Sequence, residues 1–284
     1  MKGTFFIIAA AMLWGTTGTT QAFAPEGASP LTVGAMRLLV GGFGLLLVAF
    51  FTRSFVQGEK WDIKSAVLGI LSVAAYQVTF FNAVLSAGVA VGTMVAISSA
   101  PVSAGILSKI ILKEELSRKW FIATFLAIIG CGFLIFSGGT GAKAVSFSGI
   151  LYALGAGLSY ALYTLYGKIL LSTKRENAVV AVLFFGGAVV LSPLLFFNDV
   201  SWVSTNKGII TMTHLGLFAT TLSYIFFARG LKTVPVSKTA TLSLAEPLTA
   251  AVLGILVLGE SLNMMVGIGI LILFSGIAIL SSGE

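Results

Sequence analysis

Two stretches of the chain, PVSAGILSKIILKE at residues 101–114 and PLTAAVLGILVLGE at residues 247–260, each run from a proline to a glutamate across one apolar segment of the same length. They lie 146 residues apart, and that single offset aligns the two halves without a gap. Gly3 meets Gly149, Ala10 meets Ala156, Trp14 meets Tyr160, Leu71 meets Leu217, Phe80-Phe81 meets Phe226-Phe227 and Thr93 meets Thr239. Further on, Leu107 meets Leu253, Leu112 meets Leu258, Leu116 meets Leu262 and Gly130 meets Gly276. Leu and Ala coincidences are cheap in such a composition, but the shared Pro-to-Glu spacing is not. The chain is therefore read as two copies of one unit, residues 1–143 and 144–284, within one membrane domain.

Composition sets the class. Of 284 residues only 27 are charged, 17 Lys/Arg and 10 Asp/Glu, which is 10% against about 25% in a soluble domain. With 57% hydrophobic residues and a mean hydropathy of +1.04, disorder, a coiled coil and a cytosolic enzyme are all excluded. The net charge of +7 has no soluble domain on which to display a nucleic-acid face, so no nucleic-acid partner is expected. The single cysteine, Cys131, excludes a disulfide framework and cysteine-rich metal sites.

A helix crossing about 30 Å of hydrocarbon needs about 20 apolar residues. Cutting at charges, Pro and Gly/Ser clusters gives ten such spans, near 4–24, 31–52, 65–86, 89–111, 120–138, 148–171, 178–197, 208–230, 236–258 and 262–282. Barrel strands are about 10 residues of alternating polarity, so the expected fold is an all-α integral membrane protein. Lys2 and the apolar run ending Ala22-Phe23-Ala24 look like a secretory signal, but the run is longer than a signal core and has a repeat partner in mid-chain.

Alternate connections hold Lys2, then Arg53, Lys60 and Lys64, then Lys113, Arg118 and Lys119, then Lys174 and Arg175, then Arg229 and Lys232. The opposite side offers Lys143 and Lys207, with Arg37 a little inside the second span. Positive charge marks the cytoplasmic side, so both termini are expected there, in a prokaryotic plasma (inner) membrane. Lys109, Lys168 and Lys238 fall near the same helix ends, where snorkelling is the plain reading. Five spans per repeat is an odd number, so the second copy enters from the other side and the repeats are inverted. Inverted repeats are the recurrent basis of alternating access, with a solute site near the midplane at their interface.

The pattern resembles the EamA-type transporters of the drug/metabolite transporter superfamily. The resemblance rests on Met12-Leu13-Trp14-Gly15, on Arg37 and on the segment from Pro101 to Leu112-Lys113-Glu114-Glu115-Leu116. In the second copy it rests on Glu246-Pro247, Leu258-Gly259-Glu260-Ser261-Leu262, Gly267 and Gly276. Lys113 departs from the pattern by replacing a Gly expected before Glu114. The resemblance implies ten helices in two five-helix repeats and a central cavity bounded by the first, third, fourth, sixth, eighth and ninth. It also implies a cargo among amino acids, amines, nucleotide-sugar precursors or other metabolites, with efflux favoured.

Glu246 is the carboxylate deep inside a span, and an ionisable group there is a functional hypothesis by default. Thr239, Ser243, Glu246 and Ala250 share one helix face. Two readings stand: a protonated structural acid beside Pro247, or a group that handles solute and proton. On the first span Trp14, Thr17, Gly18 and Gln21 share a face, matched by Tyr160, Tyr163, Thr164 and Gly167 in the sixth. Gln77 and Phe81 on the third span correspond to Ser223 and Phe227 on the eighth, beside Tyr224. Aromatic walls with a few oriented polar groups suit a binding cavity, and ordinary helix packing accounts for such rows equally well. A carboxylate among aromatic rings suits an ammonium, whose binding would displace a proton from Glu246.

Pro101 and Pro247 are expected kinks, and Glu114 and Glu260 are expected to cap helix starts. The Gly138–Lys143 turn lacks the Gly-Lys-Ser/Thr ending of a phosphate loop, and the lone His214 has no metal partners. No cofactor or metal is expected. A small-molecule solute and membrane lipid are the expected partners, with oligomeric state open. A membrane-embedded enzyme would need a cluster of reactive groups, and a pore would show a continuous polar stripe or charged ring. Neither pattern is present, which favours a secondary active transporter of a small organic solute.

Overall fold

Polar caps set where the helices start. Ser29 Oγ accepts from the Thr32 amide at 3.2 Å just before Pro30, Ser146 Oγ accepts from Gly149 at 3.1 Å, and Thr205 and Asn263 do the same for Gly208 and Val266. Each side-chain oxygen satisfies one of the amides that a helix start leaves unpaired. Asp62 caps the third helix, and the Ser65 hydroxyl and amide hold its carboxyl below the usual carboxylate range. The computed structural model describes residues 2–56, 58, 60–137, 146–259 and 261–282. Lys143, the Gly138–Lys143 turn and Glu260 lie outside the described residues.

In chain order the helices are α1 Lys2–Ala22, α2 Pro30–Phe51, α3 Ile63–Ala87, α4 Val89–Leu107 running into a π turn at Ser108–Leu112, and α5 Arg118–Ser137. The second half gives α6 Phe147–Leu171, α7 Glu176–Leu191 with a short extension Pro193–Phe196, α8 Asn206–Thr233, α9 Val236–Leu258 and α10 Met264–Ser281. Among the described residues there is no strand. Eight of these helices, α2 to α5 and α7 to α10, are long and apolar enough to cross a membrane, which makes the chain a multi-pass membrane protein. The expectation of ten is met by length and apolarity in those eight. The other two, α1 and α6, carry the Thr/Gly/Trp and Tyr/Gly rows singled out above, and those polar groups dilute their apolar character.

The bundle interlocks the two halves. Helix α3 packs on α6, α10 on α5, α4 on α6, α2 on α7, and α1 on both α8 and α9. Large apolar side chains such as Phe50 at 70% and Phe196 at 85% exposure stand on the outside, as a hydrocarbon solvent allows.

Two helices depart from regular geometry in ways the sequence pattern does not show. In α8 a π turn spans His214–Leu222, where Thr220 and Thr221 hydroxyls donate five residues back to the Leu215 and Gly216 carbonyls at 2.8 and 3.1 Å. Helix α9 is broken at Ser243 and Leu244, and its second segment runs Ala245–Leu258. Pro247 is thus not a kink within a continuous helix. It sits in the first turn of the second segment, where a missing N–H costs little, and the Glu246 amide takes the Ser243 carbonyl at 3.0 Å. Pro101, by contrast, lies inside continuous helix.

The turns after α4 and α9 keep the repeat's geometry. Gly259 has φ 71° and Lys113 has φ 55°, both left-handed. Glycine takes that conformation freely and lysine does not, at a cost of about 1 kcal/mol. Lys113→Gly is expected to stabilise the folded protein by up to about 1 kcal/mol, read as a raised unfolding midpoint in detergent; a lowered midpoint would contradict the turn assignment.

Candidate functional site

One cavity of about 920 Å³ enters the bundle. Its mouth is set by Gln21 at the end of α1, Pro30, Val84, Ile135 and, at the α9–α10 turn, Ser261 and Asn263. Its depth is set by Trp14, Thr17, Arg37, Tyr76, Gln77 and Glu246. Of the residues expected at a site, Trp14, Thr17, Gln21, Gln77, Phe81, Glu246 and Pro247 line this cavity.

Glycine brings the walls together. A Cβ on Gly15 would lie 2.6 Å from Thr249 Cβ and 2.7 Å from the Glu246 carbonyl oxygen, so only glycine lets α1 lean on α9 beside the carboxylate. On the facing wall Phe81 lies against Gly34, where a Cβ would meet its ring.

The remaining expected residues sit beneath the cavity rather than in it. Tyr160 donates its hydroxyl to Ser243 Oγ at 2.8 Å, which donates to the Thr239 carbonyl at 3.0 Å. Trp14 Nε1 donates to Ser223 Oγ at 2.9 Å, and Thr164 returns its hydroxyl to the Tyr160 carbonyl at 2.9 Å. Rings of Trp14, Tyr163, Tyr224 and Phe227 pack with Phe184, the Trp14–Tyr224 centroids 5.0 Å apart and Phe184–Tyr224 3.7 Å. Tyr160, Tyr163, Thr164, Ser223, Tyr224, Phe227, Thr239 and Ser243 therefore form a closed floor. The break in α9 is the reason that Thr239 and Ser243 part from Glu246, since an unbroken helix would have kept them on one face. Helices α6 and α8 accordingly supply floor, while α2, α5 and α10, outside the expected set, supply wall.

Below the floor the end of the bundle that holds the start of α1 is shut. Glu114 Oε1 accepts from the Val236 amide at 2.7 Å, and Oε2 accepts from the Ser237 amide and hydroxyl at 3.2 and 2.9 Å. Trp120 Nε1 donates to the Ser237 carbonyl at 3.0 Å, and Lys168 Nζ donates to the Leu231 and Val234 carbonyls at 2.7 and 2.9 Å. Glu114 thus caps α9 from across the repeat boundary; the α5 start that it was expected to cap is served by Ser117 Oγ, which accepts from Trp120. Lys168 closes the C-terminus of α8 instead of snorkelling.

Sequence reasoning left Arg37, Tyr76 and Phe80 out of the site, and all three line it. Arg37 is seven residues into α2 by number, and an ionisable side chain at that depth was itself the signal. Cys131 is buried in α5, and His214 Nε2 shares a 2.8 Å hydrogen bond with Thr16 Oγ1.

The sequence model of the EamA-like transporter family matches residues 1–136 and 147–282. The chain belongs to this family. Within it, the uncharacterized transporter YwfM of Bacillus subtilis (strain 168) is 44% identical over 285 residues, covering 99% of this chain and 95% of that protein. The uncharacterized inner membrane transporter YicL of Salmonella typhimurium is 23% identical over 288 residues, 99% of this chain and 95% of that one. A solved crystal structure at 20% identity superposes with a TM-score of 0.84 over 98% of this chain and 95% of that chain, and shows the fold alone. The family belongs to the drug/metabolite transporter superfamily, and its character is that of a transporter rather than an enzyme.

Proposed function

We propose that this protein is a secondary active carrier of a small organic solute, built from two inverted five-helix repeats, with ten membrane crossings counting α1 and α6. One observation carries the reading. A carboxylate, Glu246, stands in a cavity open at one end of the bundle, while Glu114, Trp120 and Lys168 shut the other end. A pore needs both ends open at once; a carrier holds one shut. No ATPase motif is present in the sequence, so uphill transport draws on a gradient, and we assign the coupling to a proton exchanged at Glu246, with efflux as the direction. The titratable groups within electrostatic reach of this carboxylate are Arg37, Tyr76, Tyr160, Tyr224 and Cys131.

The excess of basic residues at the closed end places both termini in the cytoplasm of the plasma membrane, so the cavity faces outward. Single cysteines replacing the exposed Lys207 on one side and Lys60 or Lys119 on the other test this after Cys131→Ser. Only Lys207→Cys should react with an impermeant maleimide on intact cells, and labelling of the other two would reverse the orientation. Lys174 is unsuitable because it is 6% exposed. Loss of the buried thiol in the background is expected to cost about 1–3 kcal/mol.

A further inference from the structure

The cavity holds two opposite charges, and they do not satisfy each other. Arg37 projects from α2 and Glu246 from α9, both into the same space. The guanidinium is near enough to act electrostatically on the carboxylate, yet no hydrogen bond or ion pair within 4.0 Å joins them among the described residues. Two polar atoms on the same walls, Arg37 Nε and Thr17 Oγ1, are buried without a hydrogen-bond partner among the described residues. Keeping such groups out of water is costly unless something pairs with them.

A cationic solute alone would satisfy Glu246 and be repelled by Arg37. An anionic solute alone would do the reverse. A molecule that carries both charges on neighbouring carbons satisfies both and leaves the site neutral. Guanidinium is also the side chain best shaped for a carboxylate, which it binds through two parallel N–H donors. The walls between the charges are apolar and aromatic, with Trp14, Phe80 and Phe81, which suits an uncharged remainder.

We infer that Arg37 and Glu246 form a zwitterion site, Glu246 taking the ammonium and Arg37 with Thr17 taking the carboxylate of an amino-acid-like solute. This rests on the carrier reading of Glu246 and adds a second charged determinant to it.

The test is binding to the purified full chain in detergent, using L-leucine, L-phenylalanine and L-threonine. Each is compared with the amine lacking its carboxylate and the acid lacking its ammonium; for leucine these are 3-methylbutylamine and 4-methylpentanoate. At least one zwitterion should bind tenfold or more tighter than both of its truncated partners. Arg37→Gln should weaken that zwitterion at least tenfold while leaving its amine within about threefold, and Arg37→Lys should recover part of the loss. If the amine binds as well as the zwitterion, the inference fails while the role of Glu246 stands. If the acid alone binds, both fail. If Arg37→Gln weakens zwitterion and amine equally with an unchanged melting profile, or no zwitterion binds the wild type, the inference is overturned.

Discussion

Glu246→Gln is expected to abolish proton-coupled transport in proteoliposomes and to remove its dependence on pH. The substitution keeps the size and hydrogen-bonding capacity of the side chain and deletes only its ability to carry charge. A charge-assisted contact to an ammonium is worth about 1.5–3 kcal/mol, so a cationic group should bind roughly 10- to 100-fold more weakly. Neutral solutes should lose far less. A proton taken up from one side and released when the ammonium arrives needs a group with two charge states at the site, and within the cavity Glu246 is the carboxylate. Retained coupling and an unchanged pH profile in Glu246→Gln would make it a structural acid, and the proton route would then have to be sought elsewhere.

The second large effect is expected at Glu114, far from the cavity. Its carboxylate accepts from two backbone amides and one hydroxyl at the start of α9, and all three contacts bridge the two repeats at the shut end. Opening that end separates them. At about 1.5 kcal/mol or more for each charge-assisted bond, Glu114→Ala should favour the form open at that end by about 100-fold or more relative to wild type. Accessibility of a cysteine at the buried Ser237 position provides the readout. Glu114→Gln keeps one acceptor oxygen and should fall between. Equal accessibility in wild type and Glu114→Ala would reduce this contact to a helix cap with no part in the gate.

The helix boundaries were legible because length, apolarity and capping residues are local properties: the expected starts near 31, 65 and 148 fall beside Pro30, Ile63 and Phe147. The depth of the site was legible too, since charge inside an apolar run is costly wherever it falls. What the sequence hid depends on three-dimensional breaks. Helical periodicity put Thr239, Ser243 and Glu246 on one face, and the interruption at Ser243 and Leu244 sends the first two into the floor. Repeat equivalence paired Trp14 with Tyr160, yet Trp14 lines the cavity and Tyr160 lies below it, because one end is open and the other shut. A symmetric sequence describes both ends alike. Arg37 was read as one of the outer-side charges because it lies near a span end, when its direction into the bundle was what mattered.

Alternating access is the central claim, and paired distance measurements test it without knowledge of the solute. Spin labels at Gln21 and Ser261 report the mouth, and labels at Lys119 and Lys232 report the shut end; all four positions are exposed. Measured in wild type and in Glu114→Ala, the two distances should change in opposite senses, the mouth narrowing as the other end widens. Distances that stay fixed in both proteins, or that widen together, would contradict a carrier and describe a rigid protein or a pore.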